Sequence, residues 1–88
     1  MYSYEIIPSL QEKMNKLLKK DKALYERIIS KIEEVINSAN VEHYKNLRYD
    51  MKDRKRVHVG HFVLVFNFIP EENKIKFIDI DHHDNIYS

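Results

Sequence analysis

Arg54-Lys55-Arg56-Val57-His58-Val59-Gly60-His61-Phe62-Val63-Leu64-Val65-Phe66 is the stretch whose reading decides the fold. Two runs rich in β-branched and aromatic residues flank Gly60-His61, and the protein's only glycine stands first in that two-residue loop, as a type II′ hairpin turn requires. The turn fixes a register. Val59 opposes Phe62 and Val57 opposes Leu64 on an apolar face, while His58 opposes Val63 and Arg56 opposes Val65 on the other. Strand side chains alternate with period two, so Arg54, Arg56 and His58 form a row facing away from the valines. Such a row is suited to phosphate and carries titratable groups.

Working outward, Lys74 to His82 reads as a further strand, reached from Phe62–Ile69 through Pro70-Glu71-Glu72-Asn73-Lys74. A five-residue loop there sets Phe66 opposite Ile78 and Leu64 opposite Ile80, leaving Asp79, Asp81 and His83 on the face of Arg56 and His58. A four-residue loop would bury Asp79 beside Leu64 at a desolvation cost of a few kcal/mol, so the longer loop is the expectation. Lys45 to Tyr49 reads as a short strand. Upstream, Tyr2, Tyr4 and Ile6 alternate with Ser3, Glu5 and Ile7 in a strand ended by Pro8. Pro8-Ser9 starts a helix carrying Leu10, Met14, Leu17 and Leu18 to Lys20. Asp21 caps a second, whose stripe Leu24, Tyr25, Ile28, Ile29, Ile32, Val35 and Ile36 ends near Ser38. The expected fold is α+β: an N-terminal strand, a helical hairpin, then an antiparallel β-meander, with helices packed on one face of a curved sheet and the other face open.

A chain of 88 residues accommodates one small core, so residues 1–88 are expected to form a single domain. The absence of cysteine removes disulfides and thiolate zinc sites and fits a reducing compartment. Met1-Tyr2-Ser3-Tyr4-Glu5 lacks a signal-peptide pattern and no apolar run approaches membrane-spanning length, which predicts a cytoplasmic protein with no membrane partner. Net charge is only +1, so charge distribution matters more than its sum. Lys45, Arg48, Lys52, Arg54, Lys55 and Arg56 outnumber Asp50 and Asp53 in one segment, whereas acids gather at Glu33-Glu34, Glu71-Glu72 and Asp79 to Asp84. Lys45, Arg48, Lys52, Arg54 and Lys55 are therefore the candidate RNA-binding residues, against the plain alternative of a solvated charged face.

The row brings together guanidinium groups of Arg54 and Arg56, imidazoles of His58 and His83 and the phenol of Tyr87. RNA cleavage by its own 2′-hydroxyl needs a base, an acid and cations around the phosphorus, and no metal or cofactor. Histidine suits proton transfer near neutral pH, and the arginine fork suits phosphate. Arg56, His58, His83 and Tyr87 are thus the candidate catalytic residues. His61 and His43 read as surface residues and His82 as partly buried. Asp81-His82-His83-Asp84 makes a poor metal site, because consecutive strand residues point to opposite faces. Tyr44 and Tyr49 offer stacking surfaces but fit packing equally well. Neither a phosphate-cradling glycine loop nor a serine nucleophile context is present.

Arg56 to Phe66 resembles the RelE/ParE superfamily signature approximating Arg-x-Arg-Val-Gly-Asp-Tyr-Arg-Leu-x-Tyr, and His82-His83-Asp84-Asn85-Ile86-Tyr87 resembles its closing His-Arg-x-x-x-Tyr. Asn46-Leu47-Arg48 looks like the short segment that opens the family's sheet. The resemblance spans nearly the whole chain and is greatest to RelE, toxins of toxin–antitoxin systems that cut messenger RNA on the ribosome. It implies a metal-independent endoribonuclease, with the ribosome and messenger RNA as partners and a RelB-like antitoxin in a hetero-oligomeric complex. Residue by residue it matches Arg56 and His58 to the signature cations, His83 to the closing arginine and Tyr87 to the terminal tyrosine. Two departures stand out. Val63 occupies the position of a sheet arginine that contributes to phosphate stabilisation in RelE, and His83 replaces a fixed charge by a titratable one; a histidine near this end also occurs in the related YoeB toxins. A ParE-like inhibitor of DNA gyrase, or a binding module of the same fold weakened by Val63, are the alternatives this leaves.

Overall fold

A computed structural model describes residues 1–47 and 54–87. In chain order its elements are β1 (Ser3–Ile6), α1 (Pro8–Lys20), α2 (Lys22–Ile36), β2 (Arg54–Val59), β3 (Phe62–Ile69), β4 (Lys74–His82) and α3 (His83–Tyr87). The strands form one sheet in the order β1-β4-β3-β2, with β1 parallel to β4 and the other pairs antiparallel. The α+β architecture is the one read from the sequence. Among the described residues no helix is long and apolar enough to cross a membrane.

Local chemistry accounts for the helical hairpin. Pro8 opens α1, where its preset φ fits and no intrahelical partner is needed for the missing N–H. Asp21 serves both helices: its N–H donates to Leu17 O at 2.7 Å, and its carboxylate accepts from the Leu24 N–H at 3.1 Å. Removing a cap of this kind costs about 1 kcal/mol. Leu24, Ile28, Ile32, Val35 and Ile36 are the buried residues of α2. Tyr25 and Ile29 lie half-buried at the margin of the stripe. Ser38 Oγ and Asn37 Nδ2 donate to the Val35 and Glu33 carbonyls, both at 2.8 Å, and so satisfy acceptors left open by the last turn.

These helices, with Leu10 and Met14 of α1, pack against Val59, Leu64, Phe66, Ile75, Phe77 and Ile80 of the sheet. Each fully buried apolar side chain of this size contributes about 1.5–3 kcal/mol. Tyr2 ties the chain after α2 to this core: its N–H donates to Ile36 O at 2.9 Å, and its hydroxyl accepts from the Val41 N–H at 3.1 Å.

The β2–β3 hairpin has the expected register, with Val59 opposite Phe62, Val57 opposite Leu64, His58 opposite Val63 and Arg56 opposite Val65. Gly60 has φ +62° and His61 does not share the left-handed conformation, which fits a type II′ turn and not type I′. A Cβ there would stand 3.0 Å from Nη2 of Arg27, but that is the movable end of an exposed side chain, so the positive φ and not space is what calls for glycine.

The β3–β4 pairing corrects the expected loop. Ile69 pairs with Lys74, so the connection is the four-residue Pro70–Asn73, closed by Asn73 at φ +50°. Phe66 therefore opposes Phe77, not Ile78. Between that pair and Val65–Asp79 the register shifts by one residue, leaving Ile78 as the extra residue of a β-bulge. Beyond the bulge Leu64 opposes Ile80, as expected from the longer loop. The cost of burying Asp79 is avoided by the bulge and not by the turn, and the bulge lets Ile75, Phe77 and Ile80 all reach the core.

Two more expectations change. Lys55 lies on the core side with Val57 and Val59, as alternation demands. It is only 8% exposed, and its Nζ donates to Glu42 O, Tyr44 O and Asn46 Oδ1 at 3.2–3.3 Å. It is a structural tie between β2 and the preceding segment, not a nucleic-acid contact. That segment pairs with the β2 edge through an Asn46–Lys55 bridge, with Leu47 N–H to Arg54 O at 2.8 Å and Arg56 N–H to Lys45 O at 2.9 Å. The expected Lys45–Tyr49 strand is thus represented by this short ladder, its remainder lying outside the described residues. The second sheet face, expected to be open, is partly covered: α3 folds back against β3 and β4, and Val63 and Val65 are buried apart from the main core.

Candidate active site

Arg56 and His58 come from the edge strand β2, on the face away from α1 and α2, as period-two alternation places them. His83 and Tyr87 come from α3, four residues apart and hence on one side of that helix. The sequence reading had carried the strand pattern through to His83. Instead the chain turns helical there, with His83 N–H donating to His61 O at 2.8 Å and Asp84 N–H to His82 Nδ1 at 3.3 Å. The turn tips His83 and Tyr87 over the β2–β3 side of the sheet.

All four candidate catalytic side chains consequently meet. The His58 and His83 rings stack with centroids 5.9 Å apart and planes inclined by 22°. The His83 and Tyr87 rings are 4.7 Å apart, and Cζ of Arg56 sits 5.9 Å from the centroid of the Tyr87 ring, within cation–π range. Nη1 of Arg56 is 3.5 Å from Nε2 of His58. Nε of Arg56 and the hydroxyl of Tyr87 are buried with no hydrogen-bond partner among the described residues. Buried polar atoms left unmatched are uncommon in folded proteins, and both of these face the site. The arrangement offers two imidazoles and a fork of donors to one small anionic group, with Val63 and Val65 as its dry floor.

The carboxylates expected beside His83 are engaged elsewhere. Lys13 reaches around the edge of β4 left free by the short β1, and its Nζ contacts Asp79 Oδ1 at 2.7 Å, Ile80 O at 3.0 Å and Asp81 Oδ2 at 3.5 Å. Burial opposes the Lys13 charge, but the bond to Asp79 and the charges of both aspartates outweigh it and hold its pKa above the usual value. Asp81 Oδ1 accepts from Asn85 Nδ2 at 3.0 Å and from the His82 N–H at 2.7 Å. The Asn85 bond is the main reason its pKa lies below the usual carboxylate value, against a smaller opposing effect of burial. The carboxylate nearest His83 is Asp84, 3.7 Å away and largely exposed. Lys13 and Asn85 were not singled out from the sequence, since nothing local announces a contact between α1 and a helix at the other end of the chain.

Of the candidate RNA-binding residues, Lys45 and Arg54 are exposed beside the site, Lys55 is buried as described, and Arg48 and Lys52 lie outside the described residues. His82 is half-buried, stacked on His61 at 6.2 Å and edge-on to Phe62 at 5.7 Å. Exposed His43 stacks on Tyr44, whose own ring packs edge-on against Phe66. Tyr44 is therefore a packing residue, and burial raises its phenol pKa. Among the described residues no group of three or more His, Asp or Glu is arranged to hold a metal ion. A cavity of about 550 Å³ adjoins the site between α2 and β2, lined by Arg27, Ser30, Lys31, His58 and Gly60 among others.

No protein-family profile matches the chain. A Methanocaldococcus jannaschii protein whose name assigns it as toxin RelE4 is 51% identical over 89 aligned residues, covering 99% of this chain and 92% of the relative. The chain belongs to the RelE toxin family. Its fold agrees with that of solved RelE structures at much lower identity. The isolated Escherichia coli RelE toxin superposes with a TM-score of 0.76 at 20% identity, covering 93% of this chain and 84% of that one. RelE in the intact E. coli RelBE toxin–antitoxin complex gives 0.75, again at 20% identity, with coverage of 93% and 96%. Within this RelE fold the present chain carries imidazoles at positions 58 and 83 and a buried valine at 63.

Proposed function

We propose that the protein is the toxin of a toxin–antitoxin pair and cleaves messenger RNA on the ribosome, without a metal, by activating the 2′-hydroxyl against the adjacent phosphorus. The observation that carries this reading is the meeting of Arg56, His58, His83 and Tyr87 on one face, supplied by two elements distant in sequence. One imidazole takes the 2′ proton, the other protonates the leaving 5′ oxygen, and the Arg56 guanidinium stabilises charge on the phosphoryl oxygens. Tyr87 packs against both Arg56 and His83 and holds them at a fixed spacing. Arg54 and Lys45, exposed at the rim, contact flanking phosphates.

Val63 fits this reading. It is fully buried beneath the site, so the place of a sheet arginine is taken by an apolar floor, and the cationic role passes to Arg56. With a net charge of +1, affinity for naked RNA is low at physiological salt, and the ribosome supplies the positioning. The partner that restrains the toxin is a RelB-like antitoxin, supported by the RelE chain of a toxin–antitoxin complex sharing this fold. Its acidic segments mask the Arg54–Arg56 rim in a hetero-oligomer.

The test is expression of the protein in growing cells with mapping of new 5′ ends on messages. Cuts spaced by codon support the proposal. DNA damage without cuts points to gyrase instead, and the absence of either identifies a binding module without activity. Rapid cleavage of ribosome-free RNA would also count against it.

A further inference from the structure

Each candidate catalytic group on α3 depends on where that five-residue helix sits, yet α3 has no buried residue of its own. Its first turn is fixed by the bonds of His83 N–H to His61 O and Asp84 N–H to His82 Nδ1. Beyond that turn, the side chain of Asn85 reaches back to Asp81 Oδ1 at 3.0 Å. Asp81 is itself fixed on β4, where Oδ1 accepts from the His82 N–H at 2.7 Å and Oδ2 faces Lys13 at 3.5 Å. It pairs across the sheet with Val63, which in turn pairs with His58. One sheet row thus runs from the β2 imidazole to the carboxylate that anchors α3.

We infer that Asp81 is a positioning residue, which sets the separation of His83 and Tyr87 from His58 and Arg56 by anchoring α3 through Asn85. This inference deepens the cleavage proposal and rests on it for its functional consequence. Neighbouring Asp79 provides the contrast. It contacts the same Lys13, more closely at 2.7 Å, and caps the Ile80 N–H, but it makes no bond to α3. The two carboxylates therefore share the task of closing the β4 edge, and of the two it is Asp81 that bonds to α3. The acceptor oxygen matters for this coupling more than the charge, because Lys13 keeps Asp79 and Ile80 O as nearer partners.

The experiment compares Asp81→Ala, Asp81→Asn, Asn85→Ala, the Asp81→Ala/Asn85→Ala double variant and Asp79→Ala in ribosome-dependent cleavage and in NMR spectra of the His83 and Tyr87 rings. Asp81→Ala and Asn85→Ala are each expected to lower the cleavage rate by about ten-fold or more, as a small displacement of a reacting group does. The double variant adds little to either. Asp81→Asn restores most of the rate, and Asp79→Ala retains it. The ring signals, shifted by mutual stacking, move in Asp81→Ala and stay in Asp79→Ala. Ring signals unchanged in Asp81→Ala would overturn the inference whatever the cleavage rate. Equal losses for Asp79→Ala and Asp81→Ala would also overturn it, by showing only damage to the strand edge. If wild-type protein does not cleave but its rings respond as expected, the positioning stands and the cleavage proposal fails.

Discussion

His58 and His83 lie face to face, 5.9 Å between ring centroids, although one belongs to a sheet edge and the other to a terminal helix. Neither side chain is enclosed, and among the described residues neither is held by a carboxylate within 3.5 Å. Their proximity makes the β2–β3 hairpin and the chain terminus parts of one arrangement, so changes at either ring should be felt at the other.

Replacing His58 or His83 by alanine is expected to lower the rate of ribosome-dependent cleavage by about 10²–10⁴, the usual worth of a positioned acid or base. The double variant should fall little further, because residues acting as a unit are not additive. Single-turnover cleavage of a message held on purified ribosomes measures this, and full activity of either single variant would remove that imidazole from the mechanism.

Lys55 and Arg54 are sequence neighbours with opposite duties. Lys55→Ala removes three charge-assisted bonds from a buried ammonium to acceptors on exposed Glu42 and Asn46 and half-buried Tyr44, and should destabilise the fold by about 1–3 kcal/mol. Arg54→Ala should leave stability within about 0.5 kcal/mol and reduce the salt slope of binding to a single-stranded RNA oligonucleotide by about 0.7. Urea unfolding and fluorescence anisotropy across salt concentrations separate the two.

The bulge predicts unequal costs for adjacent apolar residues. Phe77→Ala should cost about 3–5 kcal/mol, because Phe77 is fully buried between Phe66 and the helices. Ile78→Ala, at the half-exposed extra position, should cost less than half as much. Equal costs, read from denaturant midpoints at constant slope, would contradict the register described here.

Gly60→Ala forces a side chain into φ +62° and against the Arg27 guanidinium. The expected loss is about 1–2 kcal/mol, compared with a few tenths for Ala23→Ser on the exposed side of α2. Thermal unfolding monitored by circular dichroism checks it.

The stabilisation contributed by the Asp81 charge should persist through neutral pH and be lost in acid first, while a protonated Asp81 still offers Asn85 a carbonyl acceptor. Asp81 has its folded pKa lowered below 3.8, so its contribution is complete above that value and is lost as pH falls through the lower folded one. Lys13 has its pKa raised above 10.5, so its contribution is complete below that value and is lost as pH rises through the higher folded one. Ring signals of His83 and Tyr87 that responded to Asp81 near pH 6 would contradict this.

The hairpin was legible because turn chemistry at Gly60-His61 and alternation in both arms demand the same register. The helical hairpin was legible for a similar reason, with Pro8 and Asp21 placed where the apolar period starts and restarts. The bulge was legible in principle. Phe77-Ile78 are adjacent apolar residues at which the alternation of Ile75 and Phe77 changes phase to that of Ile80. Turn length alone does not carry that signal. Lys55 was misplaced by grouping charges along the chain, although alternation already put it beside Val57. The four site residues and their convergence on one face were legible, whereas the helix that delivers His83 and Tyr87 was not, because α3 is too short for periodicity to reveal and depends on tertiary bonds to Asp81 and His61.

Ile78 also separates the sheet into two mechanically distinct stretches. On one side the Pro70–Asn73 turn sets which residues of β3 and β4 pair, and on the other that pairing is offset by one residue, while the β2–β3 register runs unbroken past both. The odd residue between them acts as an expansion joint, absorbing a length change at one end of β4 without passing it on to the other. A distal turn longer or shorter by one residue would keep the same catalytic spacing only if the compensating residue were gained or lost at this point.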